Sequence, residues 1–261
     1  MVLQCGDCSV LLKDLPEQSV DMVITSPPYD NLRDYKGYSF DFENIAKQLF
    51  RVVKVGGVIV WIVSDATING SETGTSFRQA LFFKEIGFNI HDTMIWKKDS
   101  CSFPESNRYY PNFEYMFVFS KESPKTFNPL KDRKNKYAGN QIHGTFRNKD
   151  GTTTYRSETW KNTICGEYGI RFNVWEQPSE KNNKTGHPAV FPVKLVKDHL
   201  YTWTNYGDVV LDPFMGSGTT GVACKEMDRD FIGFAISKEY FDIATKRIDK
   251  HSFQMSFENI I

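Results

Sequence analysis

The apolar positions along the chain fall into two alternating kinds of segment. Short runs that are almost entirely apolar, such as residues 58–63, are typical of strands covered on both faces of a parallel sheet. Segments with apolar residues three and four positions apart, such as residues 42–53, predict amphipathic helices. The pattern predicts strands at 20–25, 58–63, 89–96, 114–119, 208–211 and 231–236, and helices at 42–53, 76–86, 192–204, 219–227 and 239–250.

The order of these segments predicts the fold class. Strands that alternate with helices are typical of an α/β domain built on a doubly wound, mainly parallel sheet. We therefore predict a Rossmann-like α/β fold. The alternation is interrupted between residues 121 and 171, where Asn, Gly, Thr, Lys and Arg dominate. Aromatic residues interspersed through this stretch argue against simple disorder, so a functional insertion is the better explanation of its length.

Charge is distributed unevenly along the chain, although the net charge is zero. Residues 121–175 contain 11 Lys and Arg against 5 Asp and Glu, whereas the remaining residues contain 21 and 27. A basic segment on an acidic body indicates an element that faces a polyanion, and a solvated basic loop is the alternative. We interpret residues 121–175 as a recognition insertion between two halves of one domain, residues 1–120 and 176–261.

Composition narrows the class of protein further. The chain lacks an apolar run of about 18 residues and a basic, then apolar, amino terminus, so we expect neither a membrane span nor a secretory signal. Its five scattered cysteines do not form a disulfide framework, and we expect a reducing, cytoplasmic location. Cys5 and Cys8 have the spacing of a zinc site. No second pair or histidine cluster completes the ligand set, so we predict no metal.

A glycine-rich segment follows the predicted strand at 208–211. Gly216, Gly218 and Gly221 match G-x-G-x-x-G between that strand and a predicted helix, which is typical of a loop passing close to a nucleotide-like ligand. No lysine follows the second glycine, so a P-loop is excluded. A dinucleotide site would also need an acidic residue near the end of the next strand, and Ala235 occupies that place. We call residues 212–220 the glycine loop.

A proline-rich segment, residues 26–29, follows the strand at 20–25, and we call it the proline run. Its two prolines fix φ and remove two N–H donors, so their carbonyls act only as acceptors. Together with the Ser26 hydroxyl they form a site suited to the N–H groups of an amine, and Tyr29 can stack on a planar ring. The alternative is a simple turn that ends the strand.

In combination, the two segments closely resemble the S-adenosylmethionine-dependent DNA methyltransferases that modify exocyclic amines of adenine or cytosine. The resemblance covers most of the chain and includes residues 6–7, 53–57, 95–98 and 187–192. The proline run precedes the glycine loop, as in the β group of that family. In that group the target-recognition region lies between the two halves, where this chain has its basic insertion. The resemblance thus implies a catalytic half at 1–120, target recognition at 121–175 and a cofactor-binding half at 176–261.

The resemblance also implies roles for individual residues. The catalytic residues would be Ser26, Pro27, Pro28 and Tyr29, with Ser26 and the Pro27 carbonyl holding the target amine and Tyr29 stacking on a flipped base. The residues binding S-adenosylmethionine would be Asp7, Phe191, Pro192, Asp212, Pro213, Phe214, Gly216, Ser217, Gly218, Thr219 and Thr220, with Asp212 close to the ammonium group. Ala235 departs from the family, which usually has Glu or Asp there to bind the ribose.

The expected partner is double-stranded DNA, with a cognate restriction endonuclease and a homodimer as further expectations from the family. Particular arginines of the insertion, such as Arg133, Arg147 and Arg156, are candidates for guanine contacts, although phosphate contacts are commoner. Methylation of a cytosine ring carbon would need a thiolate, typically in a Pro-Cys pair, and the chain has no such dipeptide.

Ser rather than Asp opens the proline run. In the family, Ser at this position is associated more with cytosine N4 and Asp more with adenine N6. We therefore predict cytosine N4 as the target, with adenine N6 as the alternative. A DNA-binding relative with weak or no activity is a second alternative because of Ala235. A nicotinamide oxidoreductase would account for the glycines but not for the proline run.

Overall fold

The computed structural model describes residues 1–28, 40–99, 107–142, 144–155, 163–179 and 191–258. Tyr29, Arg156 and residues 187–190 therefore lie outside the described residues. The helices are α1 Cys8–Leu11, α2 Phe42–Val52, α3 Thr75–Glu85, α4 Val193–Trp203, α5 Thr219–Glu226 and α6 Lys238–Glu258, with a 3-10 turn at Leu12–Asp14. The strands are β1 Val2–Cys5, β2 Val20–Thr25, β3 Val53–Val63, β4 Thr67–Ile68, β5 Ser71–Glu72, β6 Asn89–Lys97, β7 Phe113–Ser120, β8 Arg133–Lys134, β9 Thr145–Arg147, β10 Thr153–Tyr155, β11 Tyr168–Gly169, β12 Val174–Glu176, β13 Val209–Asp212 and β14 Asp230–Ala235.

The chain forms two compact units, Met1–Asn128 with Asn173–Ile261, and Pro129–Phe172. The first unit contains an eight-stranded sheet in the order β1-β14-β13-β2-β3-β7-β6-β12. Neighbouring strands are parallel except at β7, which runs antiparallel to both β3 and β6. The predicted mainly parallel, doubly wound α/β fold is therefore confirmed.

The core lies around the central strands β2 and β3. The six residues from Val58 to Val63 are all at most 1% exposed, as expected for a strand covered on both faces. On one face an aromatic cluster joins α2, α3 and the sheet, and the ring centroid of Phe83 lies 5.1 Å from that of Trp61 and 4.6 Å from that of Phe119. This packing holds β2 and β3 at the centre of the sheet.

The start of β3 differs from the prediction. The sequence predicts a helix to residue 53 and a break at 55–57, but β3 begins at Val53, directly after α2. The register with β2 then shifts, because Val20 pairs with Val53 and Met22 with Val58. Gly56 has a φ of +78°, and a Cβ at Gly57 would lie 2.9 Å from the Asp21 carbonyl oxygen. The two glycines therefore allow a bulge inside a continuous strand.

The unit at Pro129–Phe172 is a small hydrogen-bonded scaffold. It contains the antiparallel pairs β8–β11 and β9–β10 and an isolated bridge between Gln141 and Ile164. Arg171 Nε donates to both carboxylate oxygens of Asp132 at 3.0 Å. These strands were missed in the sequence because each is only two or three residues long, too short to show a period.

No helix in the described ranges is long and apolar enough to cross a membrane.

The sheet order creates a topological switch point between β2 and β13. The chain leaves β2 for β3 on one side and leaves β13 for β14 on the other. The segments that follow these two neighbouring strands therefore diverge. In open α/β sheets, ligands bind outside the carboxyl ends of the strands at such a point. In this chain those carboxyl ends lead into the proline run and the glycine loop.

Candidate active site

A hydrogen bond joins the two predicted halves of the site. Thr25, the last residue of β2, donates from Oγ1 to Asp212 Oδ1 at 2.6 Å. The strands themselves are in register, with Val210 paired to Met22 and Leu211 to Val23. Because the proline run follows Thr25 directly and the glycine loop begins at Asp212, both segments leave the sheet side by side. The structure thus brings the two motifs together through a bond between residues 187 positions apart.

Asp212 is the buried anion at this junction, with 1% of its surface exposed. One carboxylate oxygen accepts from Thr25 Oγ1 and from the Phe214 backbone N–H at 3.1 Å, and the other accepts from Thr220 Oγ1 at 2.6 Å. Burial raises the pKa of Asp212 to about 6, against the hydrogen bonds, which lower it. At neutral pH the group is therefore mostly ionised. The predicted contact between Asp212 and the ammonium group of the cofactor stays a prediction.

The glycine loop turns twice in the left-handed region of backbone conformation. Gly216 has a φ of +51° and Gly218, the N-cap of α5, has a φ of +82°. Side chains other than hydrogen are disfavoured at such angles, which explains both glycines. The Met215 N–H donates to the Phe234 carbonyl at 2.8 Å, which fastens the middle of the loop to β14.

Two of the three motif glycines are also required by packing against α6. A Cβ at Gly218 would lie 2.9 Å from Ala244 Cβ, and one at Gly221 would lie 2.3 Å from Ile248 Cδ1. The sequence interpretation attributed these glycines to a close ligand. The structure shows that the start of α5 lies directly on α6, so a side chain at Gly218 or Gly221 would clash within the protein. This reason was hidden in the sequence because the partner helix lies more than 20 positions away.

Few of the predicted cofactor-binding side chains in the loop are accessible. Ser217, Thr219 and Thr220 are at most 4% exposed. Thr220 bonds to Asp212, whereas Ser217 and Thr219 accept from Arg247 of α6, a residue that the sequence did not single out. In residues 212–220, only Phe214 and Gly216 are half-exposed, and Pro213 is buried. Phe214 and Gly216 are therefore the loop residues best placed to meet a ligand through their own surface.

The proline run is partly accessible where the structure describes it. Ser26 and Pro28 are half-exposed and Pro27 is buried. Phe40, where the described chain resumes, packs edge-on against Phe214 with 5.6 Å between ring centroids. Phe40 was not among the predicted site residues. It had no motif to mark it, because its role depends on its contact with the glycine loop.

Ala235 and Asp7 lie at the same edge of the sheet, at the ends of β14 and β1, which are one and two strands beyond β13. Cys5 pairs with Ala235, and the Gly6 N–H donates to the Ala235 carbonyl at 3.0 Å. Asp7 caps α1, because its Oδ1 accepts from the Ser9 N–H at 2.8 Å. Ala235 is 5% exposed and ends β14 without a carboxylate.

Phe191 and Pro192 lie directly before α4. Phe191 is half-exposed, and Pro192 is buried as the N-cap of α4. The Pro192 carbonyl accepts from the Leu195 N–H at 3.0 Å, and α4 packs against α5. These residues therefore precede a helix that supports the glycine loop, and their predicted contact with the cofactor stays a prediction.

Cys8, which follows Asp7, lies in the core of the first unit. Cys8 is buried, and burial together with the Asp7 charge raises the pKa of its thiol to about 12. A thiol must ionise to act as a metal ligand or nucleophile, so Cys8 is an inert core residue.

Comparison with known proteins gives one consistent result. The family model described as DNA methylase, of the N6/N4 type, matches residues 20–246. The orphan methyltransferase M.BamHII of Bacillus amyloliquefaciens is 52% identical over 254 residues, which cover 94% of this chain and 91% of that protein. The crystal structure of the M1.HpyAVI-SAM complex is 26% identical with a TM-score of 0.62 and covers 94% of this chain and 98% of that one.

A further structural likeness concerns the fold alone. The cytosine-N4-specific PvuII DNA methyltransferase has a TM-score of 0.67 at 21% identity, over 97% of this chain and 91% of that one. The overall fold of this chain is thus shared with that DNA methyltransferase.

The buried carboxylate predicts a specific pH dependence of stability. The folded-state pKa of Asp212 lies above 3.8, the ordinary value of an aspartate carboxyl. The folded protein therefore holds the proton more tightly than the unfolded chain. Relative to Asp212→Asn, the free energy of unfolding should fall by about 2 kcal/mol as the pH rises from 4 to 6.5, and stay nearly level above that. Urea unfolding of both proteins across this range measures the difference.

Asp150→Asn is the control, because the effect of Asp150 on stability changes with pH in the opposite direction. Hydrogen bonds from Thr152 hold the pKa of the exposed Asp150 carboxyl below its usual range, so that stabilising effect is lost as the pH falls. A difference between the wild-type chain and Asp212→Asn that rises with pH would contradict the burial of an ionisable carboxylate at this position.

Proposed function

The chain belongs to the N6/N4 family of DNA methylases, and from this premise we propose that it transfers the methyl group of S-adenosylmethionine to the N4 amine of cytosine in double-stranded DNA. Use of S-adenosylmethionine and action on an exocyclic amine of DNA follow from the family and its solved structures. The choice of cytosine is the proposal. A cognate endonuclease and a homodimer stay predictions.

The proposal rests on the position of Ser26. It is half-exposed and follows Thr25, whose hydroxyl is bonded to the first residue of the glycine loop. The first acceptor of the proline run is therefore next to the loop that would hold the cofactor. Ser at this place, rather than Asp, is the feature that favours cytosine over adenine.

The described residues fit the methionine half of S-adenosylmethionine. Asp212, the first residue of the glycine loop, carries a mostly ionised carboxylate, and this charge suits a ligand that carries a sulfonium and an ammonium charge. Phe214 and Gly216 offer accessible surface in the same loop. The fit is poorer at the end of β14, where Ala235 offers no acceptor to a ribose hydroxyl.

Bound S-adenosylmethionine supplies an electrophilic methyl group. The task of the protein is to make a poor nucleophile reactive, because the lone pair of an exocyclic amine is delocalised into the ring. The Ser26 hydroxyl and the Pro27 carbonyl accept hydrogen bonds from the amine N–H groups and stabilise the positive charge that develops on nitrogen. Holding the amine in line supplies much of the remaining acceleration.

The target base must leave the duplex before it can reach these acceptors. Extrusion costs a few kcal/mol, and stacking on an aromatic ring offsets about 1–3 kcal/mol of that cost. Tyr29 is the proposed stacking residue. In the Pro129–Phe172 unit, the exposed Arg147 on β9 is available for DNA, whereas Arg133 Nε donates to the Ile170 carbonyl at 2.9 Å.

The identity of the base is tested directly by nucleoside analysis. Mixed-sequence DNA is incubated with the protein and S-adenosylmethionine, digested to nucleosides and separated by mass spectrometry. We expect 4-methylcytosine. A 6-methyladenine peak without 4-methylcytosine would replace the proposal by its adenine alternative, and DNA binding without either product would favour the non-catalytic alternative.

Ser26→Ala should lower turnover without unfolding the protein. Loss of one hydrogen bond to a charged centre corresponds to about a 10- to 100-fold fall in kcat. The matched control is Ser19→Ala, because Ser19 lies just before the opposite end of β2 and donates to the Pro16 carbonyl at 2.8 Å. Turnover and thermal unfolding are measured for both. A fall in kcat of equal size in the two variants would remove Ser26 from the mechanism.

Ala235→Glu should tighten cofactor binding. A carboxylate at the end of β14 would accept hydrogen bonds from the ribose hydroxyls, which corresponds to about a tenfold lower Kd. Ala235→Gln has nearly the same shape without the charge and should gain less. Calorimetric titration with S-adenosylmethionine measures both. Weaker binding by the Glu variant than by the Gln variant would show that the ribose does not lie at this position.

A further inference from the structure

We propose that Arg247 of α6 is a positioning residue for the cofactor site, because it holds the glycine loop in its binding conformation. The inference goes beyond the proposed target base. It rests on the use of S-adenosylmethionine at this loop and is independent of whether cytosine or adenine is methylated.

The guanidinium group of Arg247 bridges the two sides of the loop's last turn. Its Nη1 lies 3.3 Å from the Ser217 carbonyl oxygen, 3.4 Å from Ser217 Oγ and 3.1 Å from Thr219 Oγ1. Between these partners lies Gly218, whose φ of +82° marks the turn into α5. One nitrogen atom therefore spans the left-handed residue at which the loop changes direction.

The same face of α6 provides the apolar support for this turn. Ala244, Arg247 and Ile248 are spaced three and four residues apart and so share one helix face. Ala244 fills the space beside Gly218 and Ile248 the space beside Gly221. Because both contacts are too close for a Cβ, the loop can shift toward α6 at neither glycine. Arg247 adds the polar contacts that oppose movement away from the helix.

Two charged residues, which belong to different elements, thus bind two neighbouring threonines of α5. Thr219 accepts from the Arg247 cation on α6, and Thr220 donates to the Asp212 anion at the end of β13. These threonines form the first turn of α5, whose orientation is set from both sides. A loop that is ordered before binding loses less conformational freedom when the ligand arrives, which raises affinity without any contact to the ligand.

Arg247→Met tests this role, because it keeps a long apolar side chain and removes the guanidinium group. We expect the Kd for S-adenosylmethionine, measured by calorimetry without DNA, to rise about 10- to 100-fold. At saturating cofactor, kcat should stay close to that of the wild-type chain while KM for the cofactor rises. Arg247→Lys keeps the charge and should restore part of the affinity.

The matched control is Arg229→Met. Arg229 is also half-buried and holds Thr204 through two bonds, from Nε to Oγ1 at 3.0 Å and from Nη2 to the carbonyl at 3.1 Å. It lies just before β14, at the end of the sheet opposite to the glycine loop. We expect Arg229→Met to lower the unfolding temperature and leave the Kd for the cofactor unchanged.

The outcomes separate a positioning role from a purely structural one. An unchanged cofactor Kd in Arg247→Met would overturn the proposal. An equal rise of the cofactor Kd in Arg247→Met and in Arg229→Met would also overturn it. If Arg247→Met does not fold, Arg247→Lys carries the test, since its Kd should then rise while Arg229→Lys stays at the wild-type value. A 6-methyladenine product would overturn the proposed base and leave this inference standing.

Discussion

The buried carboxylate of Asp212 is the interaction on which the arrangement of the site depends. It receives hydrogen bonds from the end of β2, from the backbone of the glycine loop and from the first turn of α5. Burial disfavours the charge, as the raised pKa shows, and three hydrogen bonds offset part of that cost. Because these donors come from separate segments, the carboxylate fixes their relative positions at one point.

This junction has functional meaning because it lies at the topological switch point of the sheet. β2 and β13 are neighbours, but the chain leaves them in opposite directions, so their following segments diverge. In the proposed function, the proline run supplies acceptors for an amine, and the glycine loop supplies a site for the methyl donor. A methyl transfer between two bound molecules needs both sites side by side, and the Thr25–Asp212 bond provides that proximity.

The glycine loop shows that one motif can satisfy two physical demands. Gly216 and Gly218 adopt backbone angles that other residues avoid, while Gly218 and Gly221 also leave room for α6. The loop is therefore held in shape by Ala244, Arg247 and Ile248 of α6 before any ligand approaches. Its conformation is a property of the packed domain rather than of the nine residues alone.

Much of the fold was determined by the sequence itself. Residues 58–63 form a short and uniformly apolar run, which is typical of a doubly covered strand, and the alternation of strands and helices predicted a mainly parallel α/β sheet. The proline run and the glycine loop carried the resemblance to DNA methyltransferases that modify exocyclic amines, and the family is confirmed. The short edge strand β12 was missed, since its three residues are too few to show a period.

Only the tertiary structure decided how these parts meet. The pairing of β2 with β13, the hydrogen bond of Thr25 with Asp212 and the contact of Arg247 with the glycine loop join residues that are distant or unmarked in sequence. Local periodicity reports which face of an element is buried. It cannot report which residue of another element lies against that face, because that is set by the packing of the whole domain.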